Sequence, residues 1–109
     1  MTVQEALLQL VPEMQNIYGA SLKAIVLYGS VARGTDTPES DVDIALLLLP
    51  GTDREQFDRM IRCVAGLELA CDRVLSVTPV DAERFREWED VLPYYRNIRK
   101  EGIVLWQAA

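Results

Sequence analysis

Val3, Leu7, Leu10, Met14 and Ile17 recur at intervals of three and four, the spacing that gathers apolar side chains on one face of a helix. Thr2 with Glu5 forms a capping box at the start of this stretch, and Gly19 is placed to end it. Pro12 falls inside it, which predicts a helix kinked or divided there. From Leu22 to Tyr28 the pattern changes to a continuous, partly β-branched apolar run, as in a buried strand. Gly29 to Ser40 is polar and rich in turn residues, and Val42 to Leu49 is apolar on both faces over most of its length, which predicts a central strand. Thr52 with Glu55 repeats the capping-box spacing, and Phe57, Met60, Ile61, Val64 and Leu67 predict the apolar stripe of a long helix. Arg73 to Val80 reads as a third strand. Asp81 is expected to cap a short helix running through Phe85 and Trp88. Pro93 opens a last helix with Tyr94, Tyr95 and Ile98 inward and Gly102 as its stop, and Ile103 to Trp106 adds an edge strand or packs as a tail. The order α-β-β-α-β-α-α predicts an α+β fold, a small mixed sheet flanked by helices, as a single domain over residues 1–109.

Charge narrows the function. With 11 Lys plus Arg against 17 Asp plus Glu the net charge is −6, so the chain repels phosphate backbones and direct nucleic-acid binding is not expected. A polyanionic ligand would have to be neutralised locally, by a few arginines or by a metal. The chain has no histidine, which excludes a Ser-His or Cys-His nucleophile pair and a histidine general base. Cys63 and Cys71, without histidine partners, read as buried free thiols on a helix face rather than a zinc site. Residues 1–20 carry no basic start followed by an apolar stretch, and the longest apolar run, Ile44 to Pro50, is too short to span a bilayer. The expectation is a cytoplasmic protein without a membrane role, with self-association left open.

Three features within fifteen residues carry the candidate chemistry. Gly29-Ser30 follows the first strand directly, and glycine there lets the backbone turn sharply and approach a ligand, with N–H groups and the Ser30 hydroxyl available to an anion. It is equally the makeup of a plain structural turn. Arg33-Gly34 puts one guanidinium beside that turn, suited to clamp phosphate or simply solvated in a loop. Ser40-Asp41-Val42-Asp43 opens the central strand, and strand period two puts Asp41 and Asp43 on one face. Two carboxylates about 5 Å apart repel by roughly 3 kcal/mol at an effective dielectric near 20. A cation between them removes that cost, and hard Mg²⁺ prefers a few carboxylate oxygens together with substrate phosphates. The alternative is a polar strand start with Ser40 as a loop cap.

The order Gly29-Ser30-x-Ala32-Arg33-Gly34, five residues, then Ser40-Asp41-x-Asp43 resembles the signature of the DNA polymerase β nucleotidyltransferase superfamily. In length and detail it resembles the minimal nucleotidyltransferase branch, the small antitoxin partners of HEPN-domain toxins. The resemblance implies a polymerase β-like nucleotidyltransferase fold. It implies that Gly29, Ser30, Arg33 and Ser40 bind the nucleotide, and that Asp41 and Asp43 hold Mg²⁺ (or Mn²⁺) with ATP as substrate. A third acid is implied on a neighbouring strand, as metal ligand and base. The register that aligns Val77-Thr78-Pro79 with that strand puts Leu75 at its position, and Asp72 is the nearest acid. Two functions follow from the resemblance: transfer of AMP from ATP to a hydroxyl on a HEPN-domain protein, or a weakly active or inactive nucleotide-binding module that neutralises its partner by occlusion. The stretch from Trp88 to Trp106, with Tyr94, Tyr95 and the cluster Arg96, Arg99, Lys100, is the candidate docking surface.

Overall fold

The structure is a computed structural model describing residues 1–109. Helix α1 (Val3–Tyr18) is capped as its sequence predicts: the Thr2 hydroxyl accepts from Glu5 N at 3.0 Å and the Glu5 carboxylate accepts from Thr2 N at 2.9 Å. Pro12 neither ends nor divides it. Pro12 is exposed, so the carbonyl that loses its partner faces water. A 3-10 turn at Gly19–Ser21 leads into strand β1 (Leu22–Tyr28), followed by one helical turn, α2 (Gly29–Arg33), and strand β2 (Val42–Leu48).

Helix α3 (Arg54–Cys71) starts one residue later than the Thr52–Glu55 spacing predicts. Its capping box is Asp53 with Gln56, each side chain bonding the other's backbone N–H at 2.9 Å. The selection is tertiary, because Gln56 Nε2 also donates to Ile17 O at 3.2 Å, so a single side chain closes the start of α3 and the end of α1. The buried stripe is Met60, Val64, Leu67 and Cys71. Phe57 and Ile61, expected inside, are 40% and 48% exposed, because only the narrower seam meets α1. Cys71 is a buried free thiol and Cys63 a half-buried one.

Strand β3 (Leu75–Asp81) is followed by α4 (Ala82–Trp88), α5 (Pro93–Glu101) and β4 (Ile103–Gln107). Asp81 caps α4, its carboxylate accepting from Glu83 N and Arg84 N at 2.9 and 3.1 Å. The mixed sheet has the order β3-β2-β1-β4: β1 pairs antiparallel with β2 and β4, and β2 pairs parallel with β3. β2 is therefore interior, as its two apolar faces require, and Pro79 sits on the edge strand β3, where a missing donor is tolerated.

α1 and α3 cover one face of the sheet with the larger core, and α4 and α5 cover the other, where Val26, Ala45, Leu47, Val80 and Ile98 are buried together. Ile98 faces inward as expected, but Tyr94 is 43% exposed. Arg99, placed by the sequence in the docking cluster, pairs with Asp90 at 2.7 Å and lies 3.9 Å from Glu89, closing the turn between α4 and α5. Gly102 lets the chain pass from α5 to β4, since a side chain there would overlap Ile98 O and Val26 Cγ1. No helix is long and apolar enough to cross a membrane.

Candidate active site at the mouth of the central strand

The apolar run of β1 ends at Tyr28, and Gly29 turns the chain into α2 with φ of +75°. Gly34, also at +75°, ends that turn by donating to Val31 O at 3.2 Å. Tyr28 is the cross-strand partner of Asp43, so the Gly29 turn lies directly over the mouth of β2. The approach is so close that a β-carbon on Gly29 would overlap Asp43 Oδ2 and lie 3.2 Å from its Cγ. Glycine is required here for both its dihedral and its size.

The loop before β2 folds on itself. Thr37 N donates to Ser40 Oγ at 2.9 Å and Ser40 N donates to Thr37 O at 3.0 Å. Arg73, with its side chain 15% exposed, clamps this loop: Nε and Nη2 donate to Ser40 O at 3.3 and 3.0 Å, and Nη2 meets Asp36 at 3.3 Å. Val42 N donates to Val74 O at 2.8 Å. Asp41 is thereby held exposed at the strand mouth, with Asp43 half-buried behind it.

Burial pushes the Asp43 carboxyl above the usual carboxylate range, the charge of Asp41 pushes it further, and the nearby Arg33 guanidinium opposes both. The pair therefore gains from a cation. Tyr28 is also driven well above the ordinary tyrosine value, mainly by burial, then by the hydroxyl of Tyr94 at 3.0 Å and by Asp43, with Thr78 opposing. The Arg33 guanidinium donates through Nη1 to Glu101 Oε2 at 2.8 Å.

Gly29, Ser30, Arg33, Asp41 and Asp43 thus come together at one corner. The backbone of Ser40 belongs to the same loop, but its hydroxyl is engaged with Thr37, so Ser40 shapes the loop rather than reaching outward. Asp72 does not join the pair. It is the C-cap of α3, in left-handed backbone at φ 54°, exposed, with its N–H on Glu68 O at 2.9 Å, and no group of three His, Cys, Asp or Glu residues assembles in the chain. Nor does Leu75 face the pair: it is opposite Val42, inside the larger core. The β3 residue opposite Asp43 is Ser76, with Thr78 next on that face. Asp41 and Asp43 are the two carboxylates at the mouth of β2.

Sequence reasoning missed Tyr28, Arg73, Ser76 and Glu101 as contributors to this corner, and placed Tyr94 in the core. Tyr28 alone carried a local signal, being the polar-tipped end of an apolar strand immediately before Gly29. The others depend on pairings 33 to 68 residues apart in the chain.

Against this geometry the likenesses to known proteins can be placed. Residues 7–104 match the family described as nucleotidyltransferase domain. A protein of Methanocaldococcus jannaschii, named as a candidate protein adenylyltransferase, is 32% identical over 109 residues, covering 97% of this chain and 100% of its own. A toxin–antitoxin structure with AMP-PNP superposes with a TM-score of 0.61 at 21% identity, over 92% of this chain and 73% of the other. A Shewanella oneidensis complex of tri-AMPylated HEPN toxin with MNT antitoxin gives 0.58 at 17% identity, over 96% and 72%. These structures show the same fold, and the match across nearly the whole sheet and both helical layers settles the family: the chain belongs to the nucleotidyltransferase domain family.

Proposed function

We propose that the chain transfers AMP from ATP to a hydroxyl on a partner protein, with release of pyrophosphate. The observation that carries this function is the meeting of Asp43 with Gly29: a carboxylate whose charge is disfavoured by burial and by Asp41 is packed against the only residue type that leaves room for it. In this proposal Asp41 and Asp43 hold Mg²⁺ (or Mn²⁺), which fits two hard oxygen donors in need of a counter-charge. When bound, the ion supplies neutralisation of the triphosphate and a lowered pKa for the acceptor hydroxyl. The backbone N–H groups at Gly29 and Ser30, the Ser30 hydroxyl and Arg33 orient the phosphates, and the acceptor oxygen displaces pyrophosphate from the α-phosphorus. With no third carboxylate beside the pair, the acceptor's proton leaves to water.

The partner we propose is a HEPN-domain toxin, with this chain as its antitoxin acting in the cytoplasm. Support comes from the name of the M. jannaschii relative and from the AMPylated HEPN toxin held by a protein of the same fold. The rim formed by Trp88, Val91, Leu92 and Tyr94, exposed and adjoining Tyr28, suits protein docking next to the site.

Ser76 opposite Asp43 favours a second function, in which the chain binds nucleotide and neutralises the partner by occlusion without turnover. One experiment separates them. The chain, its HEPN-domain partner, Mg²⁺ and α-labelled ATP are incubated together, and label and partner activity are both followed. Label on the partner that is lost in Asp41→Asn/Asp43→Asn supports transfer. Inhibition of the partner without label supports occlusion and overturns the enzyme assignment.

A further inference from the structure

Glu101 is the last residue of α5, 68 positions after Arg33, yet its carboxylate takes Arg33 Nη1 at 2.8 Å. We infer that Glu101 is a positioning residue for nucleotide binding: it holds the Arg33 guanidinium off the Asp41–Asp43 pair and turns its free N–H groups toward the phosphates. This inference rests on the nucleotide site proposed above.

The first ground is where Arg33 would go without it. Arg33 closes the one-turn helix whose first residue, Gly29, lies against Asp43, so the Asp41–Asp43 pair is the alternative partner for its guanidinium. An arginine closed onto that pair would occupy the oxygens a divalent ion needs and lose its own capacity for phosphate. Glu101, from the end of α5, offers a third carboxylate and engages Arg33 Nη1 instead. The second ground is the form of the bond. One oxygen of Glu101 engages Nη1 alone, so Nε and Nη2 make no other hydrogen bond and keep the forked donors that suit phosphate. The third ground is rigidity. Gly102 follows immediately and is wedged between Ile98 O and Val26 Cγ1, while its N–H bonds Ile98 O at 2.9 Å, so the backbone beside Glu101 is fixed to β1. A carboxylate on a fixed base is a reference point for a side chain that is itself 47% exposed and otherwise free to rotate.

The test is calorimetric binding of Mg²⁺·AMP-PNP, which needs neither partner nor turnover. Glu101→Gln should weaken binding about tenfold, with a melting temperature close to wild type because the pair is solvent-exposed. Glu101→Asp should recover part of the affinity. In an Arg33→Ala background, Glu101→Gln should change affinity by less than about twofold, since its effect passes through the guanidinium. A purely structural Glu101 would weaken binding equally in both backgrounds, and that result overturns the inference. Unchanged or tighter binding by Glu101→Gln also overturns it, the latter by showing that Glu101 competes with phosphate for Arg33. If wild type itself binds no Mg²⁺·AMP-PNP, the nucleotide site fails and this role falls with it.

Discussion

Gly29 and Gly34 share one backbone conformation, φ of +75°, and differ in what surrounds them. Replacing either by alanine forces a residue with a β-carbon into left-handed backbone, at a cost of about 1–2 kcal/mol. At Gly34 nothing lies within 4 Å of the added carbon, so the cost ends there. At Gly29 the methyl overlaps Asp43 Oδ2, with Cγ at 3.2 Å and Cβ at 3.4 Å, so the carboxylate must swing away by about 1 Å to reach ordinary contact distance. A displacement of about 1 Å at a reacting centre is enough to lose about 100-fold in rate. Gly34→Ala should therefore melt about 5–10 °C below wild type, as expected for a domain of this size, and Gly29→Ala at least as far below. Gly34→Ala should keep AMP transfer within a few-fold, and Gly29→Ala should lose about two orders of magnitude. Melting curves and transfer rates, measured below both transitions, give the comparison. Equal rates in the two variants would refute the assignment of Asp43 as the group whose placement Gly29 protects.

Asp43 titrates above the usual range in the fold, so the native state holds its proton more readily than the unfolded chain. The stability that group contributes is present at acid pH and lost as pH rises through its folded pKa. Without divalent ions Asp43→Asn should thus melt above wild type at neutral pH and match it at acid pH, and Mg²⁺ should narrow the neutral gap by stabilising wild type alone; an Asn variant that melts lower at neutral pH contradicts this. Asp72→Asn should fold and transfer AMP as wild type does, because Asn suits a left-handed C-cap and the side chain stands apart from the pair; loss of transfer in a folded variant would return Asp72 to the chemistry. Arg96 makes no ion pair, unlike Arg99, so Arg96→Glu should leave the melting temperature within about 2 °C and weaken co-purification with the partner if α5 docks; unchanged co-purification removes that face.

What could be read from the chain divides by the range of the interaction that decides it. The α1 cap was legible because Thr2 and Glu5 satisfy each other across three residues. The α3 cap was not, because Thr52–Glu55 and Asp53–Gln56 are equally good local boxes and only Ile17 O, 39 residues away, selects between them. That Asp41 and Asp43 fall together at the mouth of β2 was legible from strand periodicity, while their role as ligands came from the resemblance. The third position was not, because which β3 residue faces Asp43 depends on the parallel register, and that register gives Ser76 while sending Leu75 into the core. The pairing of Arg99 with Asp90 and Glu89 was not legible, because it lies across a turn that no local pattern specifies.

Strand β4 has a consequence in time as well as in space. β1 lies between β2, which follows it closely in sequence, and β4, which pairs Leu27 with Ile103 and Val26 with Val104. A growing chain can form β3-β2-β1 while the outer edge of β1 still has no partner. That edge is an apolar strand with open backbone donors and acceptors, the kind that recruits another chain. It is sealed only when residues 103–107 emerge, and Glu101 and Tyr94 reach Arg33 and Tyr28 in the same stretch of synthesis. The corner around Gly29 and the last seam of the sheet are thus finished close together. A nascent chain still lacking β4 is the one most exposed to misassembly, which makes the interval before residue 107 the one in which a chaperone has something to hold.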